Sequence, residues 1–404
     1  MFQLLSRRCL HYKTYPSIFA LDTKQTFQQS AKNNKLFHNF KQKLENGKIL
    51  VTSDESKIDS DINSSDTLPR TYSVIALEKE KINNSNSIVP NWRKSPTLWF
   101  RIIKSQMKIY REAIKNSYKV HKKYRNQSSI LYSNQQLLKD LEFNLLDEHI
   151  TRTNFVEMYR KNEFWKLPRF LIMFFIFEEL FLVMVYLWPK LGLRSALSVG
   201  AYKKITESHV LQENLQNKLC GTVGIGKNIS SISSPYDLDI KTLKQLLNQL
   251  PTNEIPGWKI SIWKTFNVKS KLANLVADKH EYYVVDDWLL LRKIMNSESG
   301  ITTFSKPELV NLIAERQLYK KNEDLNAMVN DDVGQKILLW RLALYWSFRF
   351  DNVNILSPKQ NSNFTNKWGV NNVSILNFPG TLAEFGDKVD IFDKSHLTYL
   401  VDGK

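Results

Sequence analysis

Cysteine is nearly absent: Cys9 and Cys220 are the only two in 404 residues, too few for a disulfide framework to hold the fold. Histidine is sparse too, with seven scattered along the chain and no pair at metal-ligand spacing, so no metal site is expected. No nucleophile-elbow, zinc-protease or calcium-loop motif occurs. The chain is therefore expected not to be an enzyme, with no catalytic residue and no cofactor. Acid is missing from the first 21 residues, where Arg7, Arg8 and Lys13 precede the first carboxylate, Asp22. A basic, hydroxyl-bearing, acid-poor leader without an uninterrupted apolar core reads as a mitochondrial presequence and not a secretory signal; the alternative is an ordinary basic terminus. Long apolar runs are lacking as well, with one exception.

That exception, residues 168–190, organises the rest. From Phe170 to Trp188 there is no Lys, Arg, Gly or Pro, and the only charges are Glu178 and Glu179. Nineteen residues in a helix reach about 28 Å, close to the roughly 30 Å apolar core of a bilayer. Thirteen Leu, Ile, Phe and Val in the run contribute about −4 to −8 kcal/mol to insertion, while two ionised carboxylates near the centre cost roughly 2.5 to 3.5 kcal/mol each. The sum is near zero, so the carboxyls are protonated or face a partner or a water-filled cavity. Pro168 and Arg169 bound the segment at one end and Trp188, Pro189 and Lys190 at the other, with Tyr186 and Trp188 suited to the interface. One membrane crossing is predicted; a buried core helix of a soluble bundle is the competing reading.

The net charge of +17 is unevenly placed. Residues 1–169 hold 30 Lys and Arg against 16 Asp and Glu, and residues 201–404 hold 25 against 22. A basic excess ahead of the apolar run favours anionic partners, lipid headgroups or nucleic acid. Residues 51–90 carry sixteen Ser, Asn and Asp and are expected to form a linker, because such a stretch buries too little apolar surface to offset chain entropy. From Ser95 the spacing turns helical. Trp99, Ile103, Tyr110, Ile114 and Tyr118 fall on one stripe and Lys104, Lys108, Arg111, Lys115, Lys119 and Lys122 on the adjacent one. Such a helix suits an anionic membrane surface, RNA phosphates or the solvated face of a bundle.

A second amphipathic stretch carries Leu137, Leu138, Leu141 and Leu145. Beyond the apolar run, Asp239 is placed to cap a helix that Pro251 stops, and further helices are expected at residues 268–279 and 283–295. Ser305 and Glu308 form a capping box with Pro307 in the first turn, and residues 332–349 give a last long apolar helix. No pattern is strong enough to predict a sheet. GTVGIGKN, Gly221 to Asn228, approaches a phosphate-binding loop, but Asn228 replaces the magnesium-holding hydroxyl and no buried strand precedes it, so a glycine-rich connector is the better reading. Glu178 and Glu179 point about 100° apart on a helix. A carboxyl in low dielectric can cycle between protonated and ion-bound forms, or it can hold an oligomer together by hydrogen bonds.

The chain resembles the LETM family of mitochondrial inner-membrane proteins over roughly residues 95–349. The features that carry the likeness are Glu178 within the apolar run, Trp188 with Pro189, the pair Asp286 and Asp287 before Trp288 and Leu289, the segment FSKPELVNLIAERQ with Glu308, Leu309, Glu315 and Arg316, and a Leu338, Leu339, Trp340 element. Gln317 stands where that family favours glycine. The resemblance implies an all-α protein with a single transmembrane helix and a matrix domain that binds the mitochondrial ribosome. It also implies a part in potassium/proton exchange and organelle volume, with Glu178 and Glu179 as the coupling groups. Tethering of ribosomes and nascent chains is the rival function, and a structural scaffold of the inner membrane a third.

The expected organisation is a presequence (1–35), a disordered linker (36–91), an amphipathic helical arm (92–167), the transmembrane helix (168–190), the ribosome-binding domain (191–350) and a tail (351–404). One span encloses no aqueous path, so the expected partners include a second copy or related subunits alongside the inner membrane, the ribosome, potassium and protons, with no DNA.

Overall fold

A computed structural model describes residues 35–84, 91–125, 150–177, 192–207, 235–236, 238–249, 257–296, 300–316, 318–319 and 323–349. The leader up to residue 34, the 137–145 stretch, the glycine-rich run at 221–228, Gln317 and the tail from 351 lie outside the described residues, as do Glu178, Glu179, Trp188 and Pro189.

Helix α1, Lys35–Glu45, ends at Gly47, whose φ of 65° lets Lys48 N donate back to Lys43 O at 2.9 Å. Strand β1, Ile49–Thr52, follows at once. It pairs in parallel with β2, Thr302–Ser305, in the register Ile49↔Thr302 through Thr52↔Ser305. Four residues are too few for an alternating pattern to stand out, so sequence periodicity missed both strands.

Residues 36–84 of the linker expected at 36–91 are folded. Ile62 is fully buried and Leu68 nearly so, 3₁₀ turns occupy Glu55–Lys57 and Ser65–Thr67, and helix α2 spans Val74–Asn84. The polar residues that suggested disorder satisfy buried backbone instead. Asn63 Nδ2 donates to Thr303 O at 2.8 Å while its Oδ1 accepts from Ser305 N at 2.8 Å, and Thr67 Oγ1 donates to Ser64 O at 2.8 Å.

Helix α3, Asn91–Tyr124, is about 51 Å long at 1.5 Å per residue. Its buried side is Tyr110, Ala113, Val120 and Tyr124. Of the apolar stripe read from sequence, Trp99, Ile103 and Tyr118 are exposed, together with Phe100 and Met107. Helix α4, Arg152–Arg160, is capped by Thr151, which accepts from Asn154 N at 3.2 Å. A 3₁₀ turn, Lys161–Lys166, leads into α5, Leu167–Phe177, the described part of the expected crossing. Eleven residues reach about 16 Å, half of what a bilayer requires. Among the described residues no helix is long and apolar enough to cross a membrane.

A 3₁₀ turn at Arg194–Ala196 and helix α6, Val199–Glu207, come next. Helix α7, Ile240–Gln249, is capped as expected by Asp239, which accepts from Lys241 N and Thr242 N at 3.1 and 3.3 Å. Helix α8 is Gly257–Thr265 and helix α9 is Lys269–Asn296. The two helices expected at 268–279 and 283–295 are therefore one, because nothing in HEYYVVDD breaks the i to i−4 ladder. Helix α10, Lys306–Glu315, starts on Ser305, whose hydroxyl accepts from Glu308 N at 3.3 Å. Helices α11, Leu325–Met328, and α12, Asp332–Arg349, complete the described chain.

Among the described residues the protein is thus mostly helical, with one short parallel strand pair. Its main core gathers the second half of α9 with α1, α4, α10 and α12, and Phe40 meets Trp346 edge-on at 5.5 Å. A second core joins α7 and α8 to the first half of α9, and a third seats Leu167 and Phe170 against Tyr110, Ala113, Leu193 and Ala196.

Gly334 lies where α12 passes the backbone of α11, and a Cβ there would strike the Met328 carbonyl. Gly334→Ala is expected to destabilise the protein by about 1–3 kcal/mol through overpacking, read as a lowered denaturant midpoint with an unchanged slope.

Candidate functional site

Helix α9 turns two adjacent carboxylates, Asp286 and Asp287, into the main core, each with a fully buried side chain. Isolated charges there would cost several kcal/mol apiece, and two arginines from distant segments answer them. Arg152, the first residue of α4, donates to Asp286 from Nε at 2.7 Å and Nη2 at 3.3 Å, and its Nη1 reaches the Ile62 carbonyl. Arg316, which ends α10, donates from Nη2 to Asp286 at 2.6 Å and from Nε to Asp287 at 2.8 Å. Trp346 Nε1 and the Tyr345 hydroxyl complete Asp287 at 2.8 and 3.3 Å.

Glu308 joins from α10. Its Oε1 lies 2.9 Å from Arg152 Nη2, and its Oε2 accepts from Ser64 N at 3.0 Å. The capping box is therefore only half formed: Ser305 caps the helix, while the glutamate turns away to the ion cluster. Burial alone would raise the Asp286 pKa, but Arg152 and Arg316 outweigh it and hold the carboxyl below its ordinary range.

Beside the cluster, α4, the Lys161–Lys166 turn, the Arg194 turn, α9 and α10 border a small open cleft with about 30 Å³ of water-accessible space. Arg160, Lys166, Arg194 and Lys279 line it, opposed by Glu163 and Glu315. Both carboxylates are engaged by Arg194: its Nη1 lies 3.1 Å from Glu315 Oε1, and its backbone N donates to Glu163 Oε1 at 2.6 Å. Burial would raise the Glu315 pKa, yet Arg194, Lys279, Arg160 and Arg316 bring it down to about 2. Lys279 Nζ sits over the rings of Tyr282, Tyr283 and Tyr159 at 4.4, 4.8 and 5.0 Å. The lining thus carries four cations against two carboxylates that are already paired.

The structure brings Asp286, Asp287, Glu308 and Arg316 into one cluster and puts Glu315 at the neighbouring cleft. Trp340 is buried in the main core. Pro168 and Arg169 stand in the first turn of α5, where a proline lacks no needed donor. Sequence reasoning missed Arg152, Arg160, Arg194 and Lys279. The available signal was the demand: a buried acid pair needs cations, but nothing in one dimension says which of 57 Lys and Arg supply them.

These features define a class, a helical protein organised on a buried ionic cluster with a cation-lined cleft and an exposed apolar helix beside it. Residues 62–295 match the Pentamidine resistance factor domain. The chain is also 31% identical over 376 residues to "Pentamidine resistance factor, mitochondrial" of Saccharomyces cerevisiae, an alignment covering 85% of this chain and 87% of the relative. The chain belongs to the pentamidine resistance factor family, and through that relationship it is a mitochondrial protein, in line with its acid-poor leader. No solved structure matches it.

The resemblance to the LETM family is thereby overturned, and potassium/proton exchange and ribosome binding lose their support with it. The physical reason lies in what the shared motifs are. Asp286, Asp287, Glu308 and Arg316 are buried and bond to one another or to neighbouring core residues, and acids with aromatics inside amphipathic helices arise in many unrelated cores.

Asp286→Asn leaves two buried guanidiniums short of an acceptor and is expected to cost about 3–5 kcal/mol, measured by urea unfolding. The folded pKa values of Asp286 and Glu315 are lowered, so their stabilisation is complete above the unfolded carboxylate range and is lost as pH falls through the folded values. Urea midpoints are expected to hold from neutrality to about pH 5 and to drop between about pH 4.5 and 2, with a shallower drop in Glu315→Gln.

Proposed function

We propose that this chain is a non-catalytic, membrane-seated scaffold of the mitochondrial inner membrane, entering the bilayer through the apolar segment that begins at α5. The single observation that carries this reading is the exposed face of that helix: Leu171, Ile172, Phe175 and Ile176 are 43%, 59%, 72% and 66% exposed. Four large apolar side chains together in water mark a surface meant for another phase or partner. The opposite face, Leu167 and Phe170, is fixed to α3 and the Arg194 turn, so the folded domain holds the helix and does not absorb it.

Two further features favour lipid over a protein partner. The sequence continues from Phe177 with eleven more residues to Trp188 that lack any cation. The outer side of α3 interleaves exposed Trp99, Phe100, Ile103 and Met107 with exposed Lys104, Lys108 and Arg111, a composition suited to anionic headgroups above an apolar layer. The chain is mitochondrial by its family, and the acid-poor leader expected from the sequence supports reading that bilayer as the inner membrane.

In isolated mitochondria the chain is expected to stay with the membranes after alkaline carbonate. Insertion of the apolar run is near balance, and three added carboxylates at about 2.5 to 3.5 kcal/mol each push it firmly out. Ile172→Asp with Phe175→Asp and Ile176→Asp should therefore move the protein to the carbonate supernatant with its circular dichroism intact. A triple variant that sediments like the wild type would sink the proposal.

A further inference from the structure

We infer that the cleft between the Lys161–Lys166 turn, the Arg194 turn and α9 is a binding site for a phosphate-bearing anion, with Arg160 as its principal ligand. Arg160 spends one end of its guanidinium on neutral groups: Nη1 donates to Ser64 Oγ and to Thr67 Oγ1, both at 2.7 Å. Its Nη2 is buried and has no hydrogen-bond partner. A buried guanidinium nitrogen left unpaired is costly unless an acceptor arrives, and a fork of this kind fits phosphate oxygens best.

The carboxylates of the cleft do not serve. Glu315 is only 5% exposed at its side chain and bonds Arg194 through Oε1, and Glu163 accepts from the Arg194 backbone and stands 3.7 Å from Lys166. With those acids engaged, Arg160, Lys166 and Lys279 leave the lining net positive. Glu315 Oε2 is itself buried without a hydrogen-bond partner, so the cleft asks for an anion that also carries a donor. A phosphate ester with a neighbouring hydroxyl has both.

The position of the cleft suggests where such an ester comes from. Lys166 immediately precedes Leu167, the first residue of the exposed apolar helix, so the cleft opens at the depth where headgroup phosphates lie if α5 enters a bilayer. A lipid source rests on the membrane seating proposed above, whereas the anion chemistry of the cleft does not. A soluble phosphate ester presents the same chemistry, and the two sources are separable by experiment.

The full chain in a phosphate-free maltoside detergent is titrated calorimetrically with glycerol phosphate and with inorganic phosphate. In parallel, its binding to phosphatidylglycerol vesicles is compared with binding to phosphatidylcholine vesicles brought to the same surface charge with oleate. Arg160→Gln is one variant. Lys166→Gln is the second, since Lys166 has no bond to the Ser64–Thr67 turn and keeps the test valid if the first variant unfolds.

The expected result is a preference of about tenfold or more for the phosphatidylglycerol vesicles, or saturable heat with glycerol phosphate, that Arg160→Gln removes and Lys166→Gln weakens several-fold. Heat with the free ester identifies a soluble ligand, and vesicle preference without it identifies a lipid. Equal binding to both vesicles with no phosphate heat overturns the site, as does wild-type behaviour in both variants. Should the triple aspartate form of α5 keep its membranes while the phosphate response survives, the seating fails and the site stands.

Discussion

Two neighbouring aspartates inside a hydrophobic core are the constraint on which this structure depends. Asp286 and Asp287 find their cationic partners in Arg152 and Arg316, and those arginines lie 134 residues before Asp286 and 29 residues after Asp287. A long polar stretch must also fold, because Ser64 and Ile62 supply the remaining partners of Glu308 and Arg152. The cluster is costly as a source of raw stability compared with an apolar core of the same volume, and what it contributes is uniqueness of arrangement. Through Arg152 and Arg316, α4 and the end of α10 are tied to α9 at these two residues.

The same arrangement sets the geometry around the exposed apolar face of α5. Helix α4 begins at the ion cluster with Arg152 and ends at the cleft with Arg160, and the 3₁₀ turn beyond it delivers the chain into α5. Phe164 stacks on His121 at 4.2 Å and Phe170 meets Tyr110 at 5.6 Å, so the turn and the start of α5 are fixed to α3 from both sides of the junction. Anchoring of this kind aims the exposed residues of α5 in one direction.

Legibility in the sequence followed the physics of each signal. The capped helices stood out: Asp239 and Ser305 act as starts, and α12 runs from Asp332 to Arg349 as its apolar spacing indicates. Local hydrogen bonds and a 3.6-residue repeat suffice there. The stretch around Asn63 and Ser64 read as disordered because its stability comes from partners 240 and 244 residues away, and the strand pair was invisible for the same reason. The acid pair on α9 was noticed as a motif but assigned to the wrong family, since a list of buried residues looks alike in unrelated helical proteins.

By itself the sequence determined the mostly helical class, the positions of the capped helices and the one strongly apolar segment, all of which are encoded by neighbours a few residues apart. Only the tertiary structure decided which cations meet the buried acids, that Arg160 keeps an unpaired nitrogen inside a cleft, and which face of α5 stays uncovered. Those facts depend on distances between segments remote in the chain, and charge and burial acquire their energetic meaning only when such distances are fixed.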